Sequence, residues 1–307
     1  MALPTVWRIN IKPSAQPGVD PRKFCLSGGF LGVGWPVGDV ASIEWRAYEK
    51  RAKAAYPNDS GWWRALNAIR NRMEQDDLCW TRDTTGRYYL GRITGPWKYV
   101  GRKENLAADV VNLRPCDWVS VGAVDAVPGK VVNSFVPSRT VQAVDDEAVQ
   151  LYSAYFYNAH SKSGFLYDLP SVKPNLFSLL SSEDCEDLVA LYMQIKGYVL
   201  LASTCKRSTS AYEFVMRHRD TGEHAAAQVK NGKIDLRVED YASFPGKMFL
   251  FTSKGRYVGM VPSNVSCIAD DEMRRFVSEH KAILPDRTKV WVDLAKDLSG
   301  HGTRPVK

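Results

Sequence analysis

The feature that most constrains this chain is a short hairpin that sets a carboxylate, an amide and an amine on two adjoining strands. Glu213 lies in its first arm, and Gln228 and Lys230 lie in its second. Tyr212 to Met216 and Ala225 to Lys230 read as strands, with Asp220-Thr-Gly222 as the turn signal between them. Successive strand side chains point to opposite faces, so Gln228 and Lys230 share a face that Val229 does not. A turn centred on Asp220-Thr221 sets Glu213 opposite Gln228, and one centred on Thr221-Gly222 sets it opposite Lys230. Either register gathers the three side chains on one face. A bulge or an odd-length loop would scatter them.

These side chains suit a metal and a phosphate. Mg2+ takes hard oxygen ligands, usually one or two carboxylates with phosphate and water. Glu213 offers a charged oxygen, Gln228 a neutral one, and Lys230 a positive charge to hold a phosphate or orient a water. Metal-assisted hydrolysis of a phosphodiester needs no covalent nucleophile from the protein. The competing reading is a glutamate–lysine pair across a surface hairpin, worth at most about 1 kcal/mol.

The flanking segments give this hairpin a setting. Ser182 is placed to cap a helix in which Leu188, Leu191, Tyr192 and Ile195 recur at helical spacing, and Gly197 ends it. Tyr198 to Ala202 reads as a buried strand. Lys247 to Phe251 and Arg256 to Gly259 read as further strands, and Asp270 to Leu284 as a closing amphipathic helix. A glutamate-bearing helix, a Gly-Tyr strand, an acidic strand residue and a Gln-x-Lys strand follow in that order. From about Pro170 to Leu250 the chain therefore resembles the PD-(D/E)xK nuclease superfamily, and its Gln-x-Lys form is similar to Mrr-type restriction endonucleases. The resemblance implies an α/β restriction-endonuclease-like fold with Glu186, Glu213, Gln228 and Lys230 as catalytic residues. It implies Mg2+ or Mn2+ held by Glu213, Gln228 and Glu186, the last being the helix acid that assists the metal. The strand acid of that family is usually aspartate; Glu213 is longer by one methylene.

The N-terminal half has a different texture. Trp7 to Ile11, Phe30 to Val37, Arg87 to Thr94, Val110 to Arg114, Trp118 to Val121 and Thr140 to Ala143 read as short strands. Helices are expected over about Ile43 to Tyr56 and Gly61 to Met73, and Asp83-Thr-Thr-Gly86 is a hairpin turn. Many short strands with interposed helices suggest a small β-barrel decorated by helices. Gly34-Trp35, Asp77-Leu-Cys-Trp80 and the run Tyr89-Leu-Gly91 to Trp97-Lys-Tyr99 give Val6 to Val144 a resemblance to the EVE-like branch of the PUA/EVE/YTH superfamily. Asp76-Asp77 stands where that branch would have Gly-Asp. Such domains precede restriction nucleases and read modified bases, so the resemblance implies a nucleic-acid partner. A flipped base needs aromatic walls and polar groups at its edge. Trp35, Trp80, Trp97 and Tyr99 are the candidate walls, although tryptophans serve more often as core. Arg92 and Lys98, with Arg102 and Lys103, form a basic cluster for phosphates.

Composition sets outer bounds. The 307 residues suffice for two domains, and the net charge of +7 suits a polyanionic partner. No apolar run reaches membrane-spanning length and the first residues lack a signal-peptide pattern, so a cytoplasmic protein is expected. Six cysteines without Cys-x-x-Cys spacing read as reduced thiols and not as a zinc site. The expected organisation is α+β: residues 1–144 a DNA-recognition domain, 145–297 a nuclease-like domain, and 298–307 a loose tail. The expected activity is cleavage of double-stranded DNA with modified bases, in the manner of restriction of phage DNA. A homodimer would supply two active centres for two strands. The alternatives are a nucleic-acid reader whose nuclease-like half is only a scaffold, and a nuclease directed at RNA.

Overall fold

The computed structural model describes residues 3–11, 14–38, 40–137, 139–164, 166–169, 176–205 and 212–299. The chain is mixed α+β and divides between residues 170 and 171 into two units, each built on its own sheet.

The first unit contains β1 (Val6–Ile9), α1 (Pro21–Gly28), β2 (Phe30–Val33), α2 (Trp45–Ala55), α3 (Ser60–Leu66), β3 (Leu78–Arg82), β4 (Tyr88–Ile93), β5 (Lys98–Tyr99), α4 (Lys103–Ala107), β6 (Asn112–Gly122), α5 (Gly129–Ser134), β7 (Val141–Ala143) and α6 (Glu147–His160). A π-helical turn, Asn67–Arg72, prolongs α3. The strands form one sheet in the order β2-β6-β4-β3-β1-β7, with β5 also on β6. Strand β6 joins what the sequence reads as two strands. Its first part pairs with β2 and β5, and its second with β4. That change of partners curls the sheet into a half-barrel. Trp7, Ile9, Leu31, Tyr48 and Leu66 fill its core. Asp76 takes the left-handed φ of +69° that glycine favours and aspartate tolerates. Buried Asp77 accepts the Trp7 indole N–H at 2.7 Å.

Helix α6 belongs to this unit, so the divide lies beyond the charged step at Ala143 to Glu147 where the sequence suggested it. Ser153 accepts the Trp80 indole N–H at 3.0 Å, Tyr152 donates to the Ala126 carbonyl at 2.7 Å, and Tyr157 donates to Asp117 at 2.9 Å. Helix α6 is thus tied to the first unit through Tyr152, Ser153 and Tyr157.

The second unit contains α7 (Leu176–Leu179), α8 (Ser182–Ile195), β8 (Tyr198–Leu200), β9 (Phe214–His218), β10 (His224–Lys230), β11 (Leu236–Arg237), β12 (Lys247–Thr252), β13 (Tyr257–Val258), β14 (Val265–Cys267), α9 (Asp270–Glu279) and α10 (Asp286–Ser299). Its main sheet runs β14-β12-β10-β9-β8, and β11 pairs with β13. The pairs β8–β9 and β9–β10 are antiparallel, whereas β10–β12 and β12–β14 are parallel. Ala225, Ala226 and Ala227 are fully buried in β10, Ala226 on the face it shares with Val215, Met248 and Leu250, and α8 lies against that strand.

Three local expectations are corrected. The cap of α8 is Ser181, not Ser182, because Asp184 completes a reciprocal capping box with it. The strand after Gly197 is a sheet edge with Val199 53% exposed, not a buried strand. The helix expected to run to Leu284 ends at Glu279 and gives way to a 3-10 turn, Lys281–Ile283, and a further helix follows Pro285, whose Arg287 pairs with Asp184 and Asp187 on α8. Leu298 and Ser299 end α10, and the remainder of the expected tail, residues 300–307, lies outside the described residues. No helix among the described residues is long and apolar enough to cross a membrane.

Candidate functional site

The hairpin of β9 and β10 pairs Arg217 with His224 and Phe214 with Ala227. The Glu213 amide continues the ladder by donating to the Ala227 carbonyl at 2.8 Å, so Glu213 lies opposite Gln228. This is the register of a turn centred on Asp220-Thr221. Gly222 closes it at φ +70°, donating to the His218 carbonyl at 2.8 Å. No bulge intervenes, and the three side chains meet. Glu213 Oε1 accepts from Gln228 Nε2 at 2.9 Å and from Lys230 Nζ at 3.1 Å.

Burial distinguishes this cluster from a surface ion pair. The Glu213 side chain is only 9% exposed, and Gln228 is fully buried. Gln228 Oε1 has no hydrogen-bond partner among the described residues. An orphaned buried acceptor costs about 1–3 kcal/mol, which a merely structural glutamine would be expected to avoid.

Helix α8 brings Glu186 to the same site. Burial, and then the charges of Glu213, Glu183 and Asp187, push its carboxyl up to about 7, against the opposing effect of Lys230. Its height relative to β10 is fixed by a clamp at the strand end. Asn231 Nδ2 donates to the Leu180 carbonyl at 2.7 Å, just before α8, and Ser253 Oγ donates to Asn231 Oδ1 at 2.7 Å. The Ser253 amide also donates to the Lys230 carbonyl at 3.0 Å.

The donors at this site are two carboxylates, one amide oxygen without a partner and a lysine. Among the described residues no group of three or more His, Cys, Asp or Glu side chains is placed to hold a metal. The oxygen donors nevertheless match a hard divalent cation. Such an ion would give Gln228 Oε1 a partner and offset the repulsion that raises Glu186.

In the first unit the expected base-contacting residues separate. Trp80 is fully buried and hydrogen-bonded to Ser153; it is core and lines no base pocket. Arg92 pairs with Asp76 at 2.8 Å on the α6 side and does not join Lys98. Trp97, Tyr99 and Lys98 line one cavity of about 820 Å3. Trp35 lines another, of about 330 Å3, with Asn10, Tyr56 and Asp109.

The smaller cavity carries two marks of a built site that the sequence did not expose. Asn10 is 3% exposed, and its Nδ2 lacks a hydrogen-bond partner among the described residues. Trp35 and Asp109, both lining it, have φ of +65° and +49°, backbone strain of about 1–3 kcal/mol each. The strain at Trp35 is held by its indole N–H on Asp59 at 2.8 Å and by Tyr48 donating to its carbonyl at 3.0 Å. Burial raises the Asp109 carboxyl, partly offset by the Ser14 amide. A Cβ on Gly34 would stand 2.6 Å from Asp109 Oδ1, so only glycine permits this approach. Of these residues the sequence pointed only to Trp35; Asn10 fell inside the strand expected over Trp7 to Ile11, and nothing singled out Asp109.

No family model, no curated protein and no solved structure matches this chain.

Proposed function

We propose that this protein is an endonuclease that recognises a modified base through its first unit and hydrolyses the DNA backbone through its second. The observation that carries the reading is the buried meeting of Glu213, Gln228 and Lys230 on one sheet face, within electrostatic reach of Glu186. A bound Mg2+ or Mn2+ supplies an electrophile for the phosphate and an activated water. Glu213, Gln228 and Glu186 would hold that ion. Lys230 stabilises the charge that grows on the phosphate, and Glu213 keeps its ammonium in place. In the first unit the Trp35 cavity would take the base. Asn10 Nδ2 supplies a donor to a base acceptor and Asp109 an acceptor to a base donor.

The test compares DNA carrying modified cytosines with matched plain DNA, in Mg2+, in Mn2+ and in EDTA. Metal-dependent cutting of the modified DNA alone is expected. Equal cutting of both would remove base reading and keep the nuclease. Binding without cutting would leave a nucleic-acid reader on a nuclease-like scaffold, the alternative favoured by the single carboxylate on the hairpin strands. Preference for structured RNA over duplex DNA would redirect the activity to RNA.

A further inference from the structure

The larger cavity of the first unit has a chemistry of its own. Its apolar walls include Trp45, Trp97 and Ile43, with the two indoles edge to face at 5.3 Å. Arg70, Lys98 and Arg102 are exposed along it, and none forms a salt bridge among the described residues. The Arg70 guanidinium stands 5.6 Å from the centre of the Trp45 ring. Arg114, at the base, is buried and spends its hydrogen bonds on the carbonyls of Gly95, Ile69 and Met73, so its charge is not cancelled by a direct carboxylate contact. Glu44 is the sole acid against these four cations among the lining residues.

Flat apolar walls edged by uncompensated cations select a ligand with a flat body and an anionic end. At about 820 Å3 the cavity exceeds what a base alone requires. Trp45 and Trp97 also pack on the core, but an inorganic anion would leave the apolar part of the cavity unfilled, and a neutral base would leave the cations without a counter-charge. We propose that this cavity binds a phosphorylated nucleoside, its base against Trp45 and Trp97 and its phosphate on Lys98, Arg102 and Arg70. The nucleotide can belong to a DNA strand or be free in solution. Cleavage enters neither this argument nor its test, so the site stands or falls apart from the nuclease.

The test is calorimetric titration of the full chain with thymidine monophosphate, thymidine, inorganic phosphate and a ten-residue oligothymidylate, without divalent metal. Thymidine monophosphate is expected to bind at least tenfold more tightly than thymidine or phosphate. The double variant Lys98→Glu/Arg102→Glu changes only exposed side chains, and circular dichroism checks its fold. It should weaken the nucleotide by roughly ten- to a hundredfold. An oligonucleotide that binds more tightly than the mononucleotide and displaces it identifies a DNA strand as the source; one that binds no more tightly identifies the free nucleotide. Phosphate binding as tightly as the nucleotide, unchanged affinity in the folded double variant, or no binding of either nucleotide ligand overturns the proposal.

Discussion

Glu186 carries the heaviest electrostatic load of the residues around the hairpin. Its carboxyl is moved from the ordinary 4.5 to about 7, first by burial and then by Glu213. A carboxyl raised on folding holds its proton more tightly in the folded state. Its contribution to stability is therefore complete below about 4.5 and is lost as pH rises through about 7. In the metal-free protein, Glu186→Gln should remove this slope, so that the urea midpoints of variant and parent converge at low pH and the variant is the more stable above pH 7. A parent curve flat across that interval would mean that Glu186 is neither buried nor crowded by Glu213. Cleavage, which on our reading needs the ionised carboxylate, should rise through about pH 7 and shift to lower pH as Mg2+ is raised, because metal and proton compete for it. Lys230→Ala should lower the cleavage rate by about a hundred- to a thousandfold, the cost of removing one transition-state charge partner. Its DNA affinity should change less than about threefold, since Lys230 is one phosphate contact among many cations. Cleavage at the parental rate would remove Lys230 from the site.

Elements turn these residues into a site, and they differ in how openly the sequence declares them. The hairpin was legible because an alternation of period two and a Thr-Gly turn leave few registers, and each of those gathers Glu213, Gln228 and Lys230. The cap of α8 was legible only to within one residue. Two adjacent serines can each cap, and the acid three positions on, Asp184, selects Ser181. Pro115 conceals the continuity of β6; it lies where that strand passes from Phe30 of β2 to Ile93 of β4. Edge and centre are likewise unreadable from an apolar run, which is why Val199 was expected inside. The cavities were illegible for a stronger reason. Asn10, Trp35 and Asp109 are distant in sequence and meet only because of two unusual backbone conformations. The capping box tests the element scale. Ser181→Ala should cost about 1 kcal/mol, and Ser181→Asp should restore most of it. Equal urea midpoints for Ser181→Ala and the parent would show that the cap adds nothing to the Arg287 pairs and the Asn231 clamp at the start of α8.

Among the described residues each unit has its own main sheet and its own buried cluster, one around Trp7, Tyr48 and Leu66 and one around Val215, Leu250 and Val265. Damage to one core should therefore remain in its own unit. Trp80 provides the test, being fully buried with its indole N–H on Ser153. Trp80→Ala should destabilise the first unit by about 3–5 kcal/mol, the usual cost of truncating a large buried aromatic. In a calorimetric scan one transition should move down and the other remain, because a chain of two units need not unfold in one step. The same division predicts how function fails. Asn10→Ala should bring the binding of modified DNA down to that of plain DNA, and its cutting at low DNA concentration down with it, whereas Lys230→Ala should lose cutting while discrimination in binding survives. The double variant should show both losses, each of its single-variant size, because sites without shared partners act additively. A loss of cutting by Asn10→Ala that persists when DNA saturates the protein, in a protein whose two transitions are unmoved, would mean that base recognition licenses the nuclease instead of merely delivering it to the DNA.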